Sequence, residues 1–165
     1  MSESNNILEP DPFTEAEFAA WRGLIRLRES VMREIDQRLS EAGEIPLDDY
    51  GVLITLVGQP DKRLRMSVLG ARRLLTPSGI TRAVMRLEER GLVRREPDPE
   101  DRRAAFAALT KKGLAALRRA QRVHHATVRE LYLGRLDERE QRQLARLFEK
   151  ALPGVVSSPE WPPPR

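Results

Sequence analysis

The chain has 165 residues, of which 40% are hydrophobic and 33% are charged, with a net charge of +4 and no cysteine. This length and balance fit one folded domain with helical extensions, and the lack of thiols excludes disulfides, thiolate metal sites and thiol redox sensing. No apolar run approaches the ~18 residues that a membrane span needs, and the N-terminus has no signal-peptide pattern, so we expect a cytoplasmic protein that does not contact membranes.

The first part of the chain predicts an arm and two helices. Residues 1–12 are polar and contain two prolines, so we expect a disordered N-terminal arm. Apolar side chains recur at helical spacing over residues 13–42, and Gly43 ends this long amphipathic helix. Asp48 and Asp49 then begin a shorter helix with apolar residues on one face.

The middle of the chain predicts two further helices and a hairpin. Ser67 can cap a short helix, and Thr76 followed by Pro77 is a stronger helix start, with Gly91 as the C-terminal stop. Three segments then follow in order, a strand over residues 92–96, a polar turn over 97–103 and a returning strand over 104–109.

The last part of the chain predicts two helices and a tail. Thr110 caps a long helix that runs to about Leu133, and Asp137 with Glu140 forms a capping-box pattern that begins the final helix. The tail over residues 153–165 is rich in proline, and we expect it to be disordered.

This order of elements predicts a mainly α fold with a small β-hairpin wing. Three helices followed by a hairpin form a winged helix-turn-helix domain, which we assign to residues 47–110. The flanking helical segments, 13–46 and 111–152, carry apolar stripes that a small winged domain cannot cover alone. They therefore pack either on each other within one chain or against a second chain.

The positive charge is concentrated in one segment. Residues 62–103 hold twelve Arg and Lys against six Asp and Glu. A basic segment on a slightly acidic body is typical of a nucleic-acid-binding protein, although any single charged helix is more simply a solvated face. Most of these cations are arginines, whose planar group suits phosphates and guanine edges.

The helix that begins at Thr76 has the pattern of a DNA-reading helix. On a helical wheel, Ile80, Ala83, Val84 and Leu87 form the face to be buried. The residues predicted to meet the major groove are Thr76, Ser78, Thr81, Arg82 and Arg86. The alternative is an ordinary surface helix, but the preceding short helix and the following basic hairpin favour DNA binding.

The predicted hairpin tip contains Asp101, Arg102 and Arg103. An arginine at such a tip can enter the minor groove, and an aspartate two residues before it can accept its hydrogen bond and fix its direction. For an isolated loop, the simpler interpretation is a flexible charged turn.

The sequence here resembles the multiple-antibiotic-resistance regulator (MarR) family of transcriptional regulators. The resemblance covers about residues 13–150 and lies in five segments: Leu47-x-x-Tyr50, Arg65-Met66-Ser67, Ser78-Gly79-x-Thr81-Arg82, Leu87-Glu88-x-Arg90-Gly91-Leu92-Val93-x-Arg95, and Asp101-Arg102-Arg103 followed by Leu109-Thr110 and Gly113. One departure is Gly70 in the short helix, where the family commonly has other residues. Glycine lowers helix propensity by about 1 kcal/mol against alanine, so we expect a less rigid helix.

The resemblance implies a homodimeric, sequence-specific regulator of the repressor type that binds double-stranded DNA at a pseudo-palindromic operator. It implies that Asp101 and Arg103 form the wing pair, and we assign the DNA backbone contacts to Arg65, Ser67 and Arg95. It also implies that residues 13–46 and 111–152 form intertwined dimerisation helices. A small aromatic or phenolic effector is then expected to bind between these helices and the winged domain.

Trp21 and His124 are the candidates for effector contact. Trp21 lies in register with the apolar stripe of its helix, which favours core packing or the dimer interface over ligand contact. His124 and its neighbour His125 point about 100° apart on a helix and cannot chelate one metal together, so we assign no metal and no cofactor.

Two other classes of function are alternatives to DNA binding. A winged-helix dimerisation or adaptor protein without effector-controlled DNA binding would keep the fold, but the basic helix and wing argue against it. An enzyme is disfavoured because the sequence has no glycine-rich phosphate loop, no metal-ligand cluster and no nucleophile–base pair with recognisable spacing.

Overall fold

The computed structural model describes residues 13–101 and 104–158. The elements, in chain order, are α1 (Glu15–Glu41), α2 (Leu47–Val57), β1 (Arg63–Arg65), α3 (Met66–Arg72), α4 (Pro77–Glu89), β2 (Val93–Pro97), β3 (Ala105–Leu109), α5 (Lys111–Leu131), a 3₁₀ turn (Leu133–Arg135) and α6 (Glu138–Ala151). The predicted fold class, mainly α with a small antiparallel sheet that follows a tri-helical unit, is confirmed.

The predicted starts of three helices are present with their hydrogen bonds. The Thr76 side chain accepts from the backbone N–H of Gly79, and that of Thr110 accepts from Gly113, at 3.1 and 2.9 Å. Asp137 and Glu140 form the reciprocal capping box of α6. These starts could be read from sequence because each uses residues only three positions apart.

The sheet contains one strand that the sequence analysis missed. Its order is β1-β3-β2, and all pairs are antiparallel. In β1, Arg63, Leu64 and Arg65 pair with Ala108, Ala107 and Phe106 of β3. A three-residue strand has too little alternation to show a period, so only its partner reveals it.

The short helix α3 also begins differently from the prediction. Its N-cap is Arg65, without a side-chain hydrogen bond, so the prediction that Ser67 caps this helix is wrong. The chain leaves β1 and turns directly into the helix. Gly70 of α3 is buried, and a Cβ built on it would stand 3.1 Å from the Ile80 side chain. The lack of a side chain at Gly70 therefore gives α3 a close fit against Ile80 of α4.

The core lies where the C-terminal half of α1 meets the winged unit. Val31, Ile35 and Leu39 are the buried residues of α1, and they join a cluster that includes Leu53 of α2 and Leu117 of α5. The N-terminal half of α1 instead exposes its apolar side chains to solvent, among them Phe18, Trp21 and Leu24. Helix α6 likewise contains no buried residue.

Residues 153–158 form a turn, although the sequence predicted a disordered tail from residue 153. The Glu149 carboxylate accepts from the backbone N–H groups of Gly154 and Val156 and from the hydroxyl of Ser157, at 2.8, 2.9 and 2.7 Å. This side chain closes the turn, which the proline content of the tail concealed. The predicted arm over 1–12 and the rest of the tail lie outside the described residues.

Among the described residues, no helix has the length and apolar character needed to cross a bilayer. The same part of the chain holds no group of three His, Cys, Asp or Glu side chains placed to bind a metal ion.

Candidate nucleic-acid interface

Helix α4 presents two different faces. Ile80, Ala83, Val84 and Leu87 are its buried residues, and they are the four that the helical wheel predicted. The opposite side, with Ser78, Thr81, Arg82 and Met85, is exposed. The apolar face therefore fixes the rotation of the helix, and this rotation determines which side chains can meet a ligand.

The first turn of α4 is held by local hydrogen bonds. The hydroxyl of Thr81 donates to the carbonyl of Pro77 at 2.8 Å, and the hydroxyls of Thr76 and Ser78 are 3.2 Å apart. Because the one hydroxyl proton of Thr81 is already donated, its oxygen is left to accept, as it could from the amino group of a base. A phosphate offers no donor, so Thr81 is better suited to base contact in this conformation.

Arg82 and Arg86 have different surroundings on this helix. Arg82 is exposed, and it forms no ion pair with the part of the chain that the structure describes. The Nη2 of Arg86 instead lies 3.1 Å from Oδ1 of Asp49, a buried carboxylate on α2 whose Oδ2 lies 3.3 Å from Nη1 of Arg90. Sequence analysis placed Arg86 among the groove-facing residues, whereas the structure engages it in fixing α4 to α2.

Arg95, predicted to contact the DNA backbone, is bonded to the end of α4. Its backbone N–H and its Nε donate to the two carboxylate oxygens of Glu88, at 3.0 and 2.7 Å. These bonds, chiefly the one from the backbone amide, lower the pKa of Glu88. The pair joins α4 to β2 and leaves the Arg95 guanidinium half-exposed at the base of the wing.

The base of the wing contains an ion pair that sequence analysis missed. Nε of Arg65 lies 2.8 Å from Oδ2 of Asp98, and its Nη2 lies 3.5 Å from Oε2 of Glu100. Asp98 is buried, and its other oxygen accepts from the N–H of Glu100 at 2.9 Å. Arg65, predicted to contact the DNA backbone, thus orders the wing. Asp101 is exposed, while Arg102 and Arg103 lie outside the described residues.

Three of the predicted contact residues meet around one cleft of about 470 Å³ between α3, α4 and the wing. Ser67, Thr81 and Arg95 line it, together with the apolar side chains of Leu75 and Ile80. The fold therefore brings together residues that lie on three different elements and far apart in the sequence.

The two candidate effector residues have different environments. Trp21 is 54% exposed on the uncovered half of α1. The ring of His124 on α5 stacks on Tyr50 of α2, with centroids 4.8 Å apart and planes at 15°. Burial, and next the neighbouring His125, lower the pKa of His124, so the ring is neutral at pH 7. His124 thus packs between two helices rather than lining a described cavity.

A sequence model described as the MarR family matches residues 44–104. The crystal structure of Sco3205, a MarR family transcriptional regulator from Streptomyces coelicolor in complex with DNA, is 34% identical, with a TM-score of 0.79, over 92% of this chain and 94% of that chain. The chain belongs to the MarR family.

Other members of the MarR family agree with this assignment. AbsC, also a MarR family regulator from Streptomyces coelicolor, is 28% identical, with a TM-score of 0.78, over 86% of this chain and 95% of its own. The uncharacterized HTH-type transcriptional regulator YkoM of Bacillus subtilis is 31% identical over 131 residues, which are 79% of this chain and 82% of that relative. This MarR-family chain is a transcriptional regulator and not an enzyme.

Proposed function

We propose that this MarR-family regulator binds a pseudo-palindromic DNA operator as a homodimer, acts as a repressor and is released by a small effector. The observation that carries DNA reading is the exposed polar face of α4. Ser78, Thr81 and Arg82 stand on the side opposite the buried face, and Arg82 forms no ion pair with the described residues. A free guanidinium on such a face suits the guanine edge or a phosphate.

The contacts of the wing support a second DNA-contacting element beside α4. Arg65 and buried Asp98 fix the base of the hairpin, so the wing has an ordered support. We propose that Asp101 orients Arg103 toward the minor groove, and that Arg102 and Ser67 contact the backbone. Arg65 and Arg95 are engaged in ion pairs, and we propose that they reach phosphates with the N–H groups left over.

The uncovered apolar faces support a homodimer. Trp21 on α1 and Leu147 on α6 are 54% and 53% exposed. Other apolar side chains of α1, and those that follow α6 in the chain, are also exposed. Exposed apolar side chains clustered on helices are typical of surfaces that another protein covers. A second copy of this chain would cover both helices at once and present two α4 helices to one DNA site.

The test of DNA reading uses fluorescence anisotropy with DNA from upstream of the protein's own coding region, in the presence of competitor DNA. We expect Arg82→Ala and Arg103→Ala each to weaken binding about tenfold or more, as the loss of a direct contact does. Arg118→Ala, an exposed arginine on α5 outside the winged domain, is the matched control. Normal affinity in both reader variants would remove these residues from the interface.

The test of the dimer is light scattering after gel filtration. Leu147→Glu places a charge on the face of α6 that we propose to be covered, so it should shift the protein toward the monomer. Leu74→Asn changes a leucine that is even more exposed, at 79%, but lies in the turn between α3 and α4. It should leave the dimer intact, and a monomeric wild-type protein would contradict the proposal.

A further inference from the structure

The structure contains a cationic cleft that is separate from the reading face. It has a volume of about 340 Å³ and lies between the α1–α2 connection, the C-terminal end of α4 and the first half of α5. Arg90, Lys112 and Arg119 line it together with one carboxylate, that of Glu44, so the charged side chains of the lining sum to +2. The volume is within the range of small-molecule sites.

The neighbouring carboxylates neutralise the three cations of this cleft only in part. The amino group of Lys112 donates to the backbone carbonyl of Arg90 at 2.7 Å, which uses one of its three N–H donors and no negative charge. Nε of Arg119 donates to Oε1 of Glu44 at 3.1 Å. Arg90 shares Asp49 with Arg86, so this pair of arginines has one carboxylate between them.

The second oxygen of Glu44 is an unusual feature of this cleft. Oε2 is buried and has no hydrogen-bond partner, and the side chain as a whole is 12% exposed. A buried carboxylate oxygen without a donor is unfavourable, so this atom favours a ligand that brings one. The terminal torsion of a glutamate is broad, and its rotation can turn the oxygen toward the cleft without moving the backbone.

The remaining lining is apolar and shapes the space beside the charges. Ile45, Leu92, Ala115 and Ala116 contribute this part, and the two alanines lie on α5 between Lys112 and Arg119. Small side chains at these two positions leave room for a ligand on the helix surface. A short carbon chain can therefore lie there while its ends meet the charged groups.

From these features we infer that the cleft binds a phosphate monoester with free hydroxyl groups. The dianionic phosphate matches the +2 lining and accepts from Lys112, Arg119 and Arg90, while a hydroxyl donates to Oε2 of Glu44. The site is distinct from Trp21, His124 and the reading face. Any effect of the ligand on DNA rests on the proposed function, through Arg90 and its shared partner Asp49, but binding to the cleft does not.

The test compares glycerol 3-phosphate with propyl phosphate by isothermal titration calorimetry on the full chain without DNA. The two ligands have the same charge and chain length and differ in hydroxyl groups. We expect glycerol 3-phosphate to bind about tenfold tighter, as one hydrogen bond to a charged group provides. In Glu44→Gln this preference should fall to about threefold or less, since the acceptor loses its charge.

A second pair of variants tests the cations. Lys112→Gln with Arg119→Gln should weaken both ligands about tenfold or more, whereas Arg118→Gln, on the same helix but outside the cleft, should bind like the wild type. The inference is overturned if the wild type binds neither ligand up to about 10 mM, if the double variant binds normally, or if Glu44→Gln keeps the full preference. The anisotropy experiment with ligand-free protein tests DNA binding separately, so the two proposals can fail independently.

Discussion

The guanidinium of Arg86 on α4 lies 3.1 Å from the carboxylate of Asp49 on α2, a side chain that is only 3% exposed. The same carboxylate holds Arg90 at 3.3 Å, one helical turn further along α4. Two contacts one turn apart on the same side of a helix fix both its position and its rotation. Asp49 therefore acts as a positioning residue for the surface that α4 exposes.

The Asp49 cluster predicts an asymmetry between its two sides. Asp49→Asn leaves two arginines that are about half exposed and can be hydrated, so we expect a loss of only about 1–2 kcal/mol in the free energy of unfolding. Arg86→Ala with Arg90→Ala leaves a buried carboxylate unpaired, and we expect about 3 kcal/mol. Urea denaturation measures both. Equal losses, or a larger loss in Asp49→Asn, would show that the carboxylate is not the buried partner.

The stack of His124 on Tyr50 predicts a dependence of stability on pH. Burial lowers the pKa of His124 below its ordinary value of 6.5, so the folded state holds the ring neutral while the unfolded chain takes up a proton. The free energy of unfolding should therefore decrease as the pH falls below about 6.5. His124→Phe keeps an aromatic ring on Tyr50 and should remove this dependence, whereas His125→Gln should retain it. NMR titration of the His124 ring should give a midpoint below 6.5; a normal midpoint would argue against the stack.

The turn after α6 predicts that the carboxyl group of Glu149 titrates at low pH and that this titration reports on the structure of the turn. Hydrogen bonds from the Ser157 hydroxyl and from the backbone amides of Gly154 and Val156 lower the pKa of Glu149 to about 2. The stabilising effect is complete above the ordinary value of 4.5 and is lost as the pH falls toward 2. The amide signals of Gly154 and Val156 should therefore shift with a midpoint near 2. Ser157→Ala should raise this midpoint, and an unchanged value would mean that the hydroxyl does not bond to Glu149.

The turn between α3 and α4 predicts a site where glycine is tolerated. Leu74 has a φ of 54°, in the left-handed region, and its side chain is 79% exposed. Leu74→Gly removes the steric cost of this conformation and little buried surface, so we expect the free energy of unfolding to rise by about 0.5 kcal/mol or to stay the same. Leu75→Gly, next to it and without a positive φ, should lower it instead. Thermal denaturation of both variants checks the difference.

Several features of the interface were predictable because they depend on near neighbours in the chain. The starts of α4 and α5 follow from Thr76 and Thr110, each of which caps an N–H three residues on. The buried face of α4 follows from its helical period, and with it the exposure of Ser78, Thr81 and Arg82. The capping box of Asp137 is of the same kind.

Other features depend on which elements the fold brings together. Arg86 and its partner Asp49 are 37 positions apart, and Arg65 reaches Asp98 from a strand that has no period of its own. The sequence alone placed both arginines on the DNA side, because charge and spacing cannot tell a free guanidinium from one that is already paired. The cleft around Glu44 joins three separate elements and could not be seen from any of them.

The amino-acid sequence by itself determined the starts of α4, α5 and α6, the buried face of α4 and the family, since capping, periodicity and motif spacing are local. Only the tertiary structure decided which arginines of the basic segment are free to meet DNA. The reason is physical: burial of Asp49 and Asp98 creates carboxylates that need cations, and the nearest arginines satisfy them. Among the described residues, Arg82 stands outside these pairs.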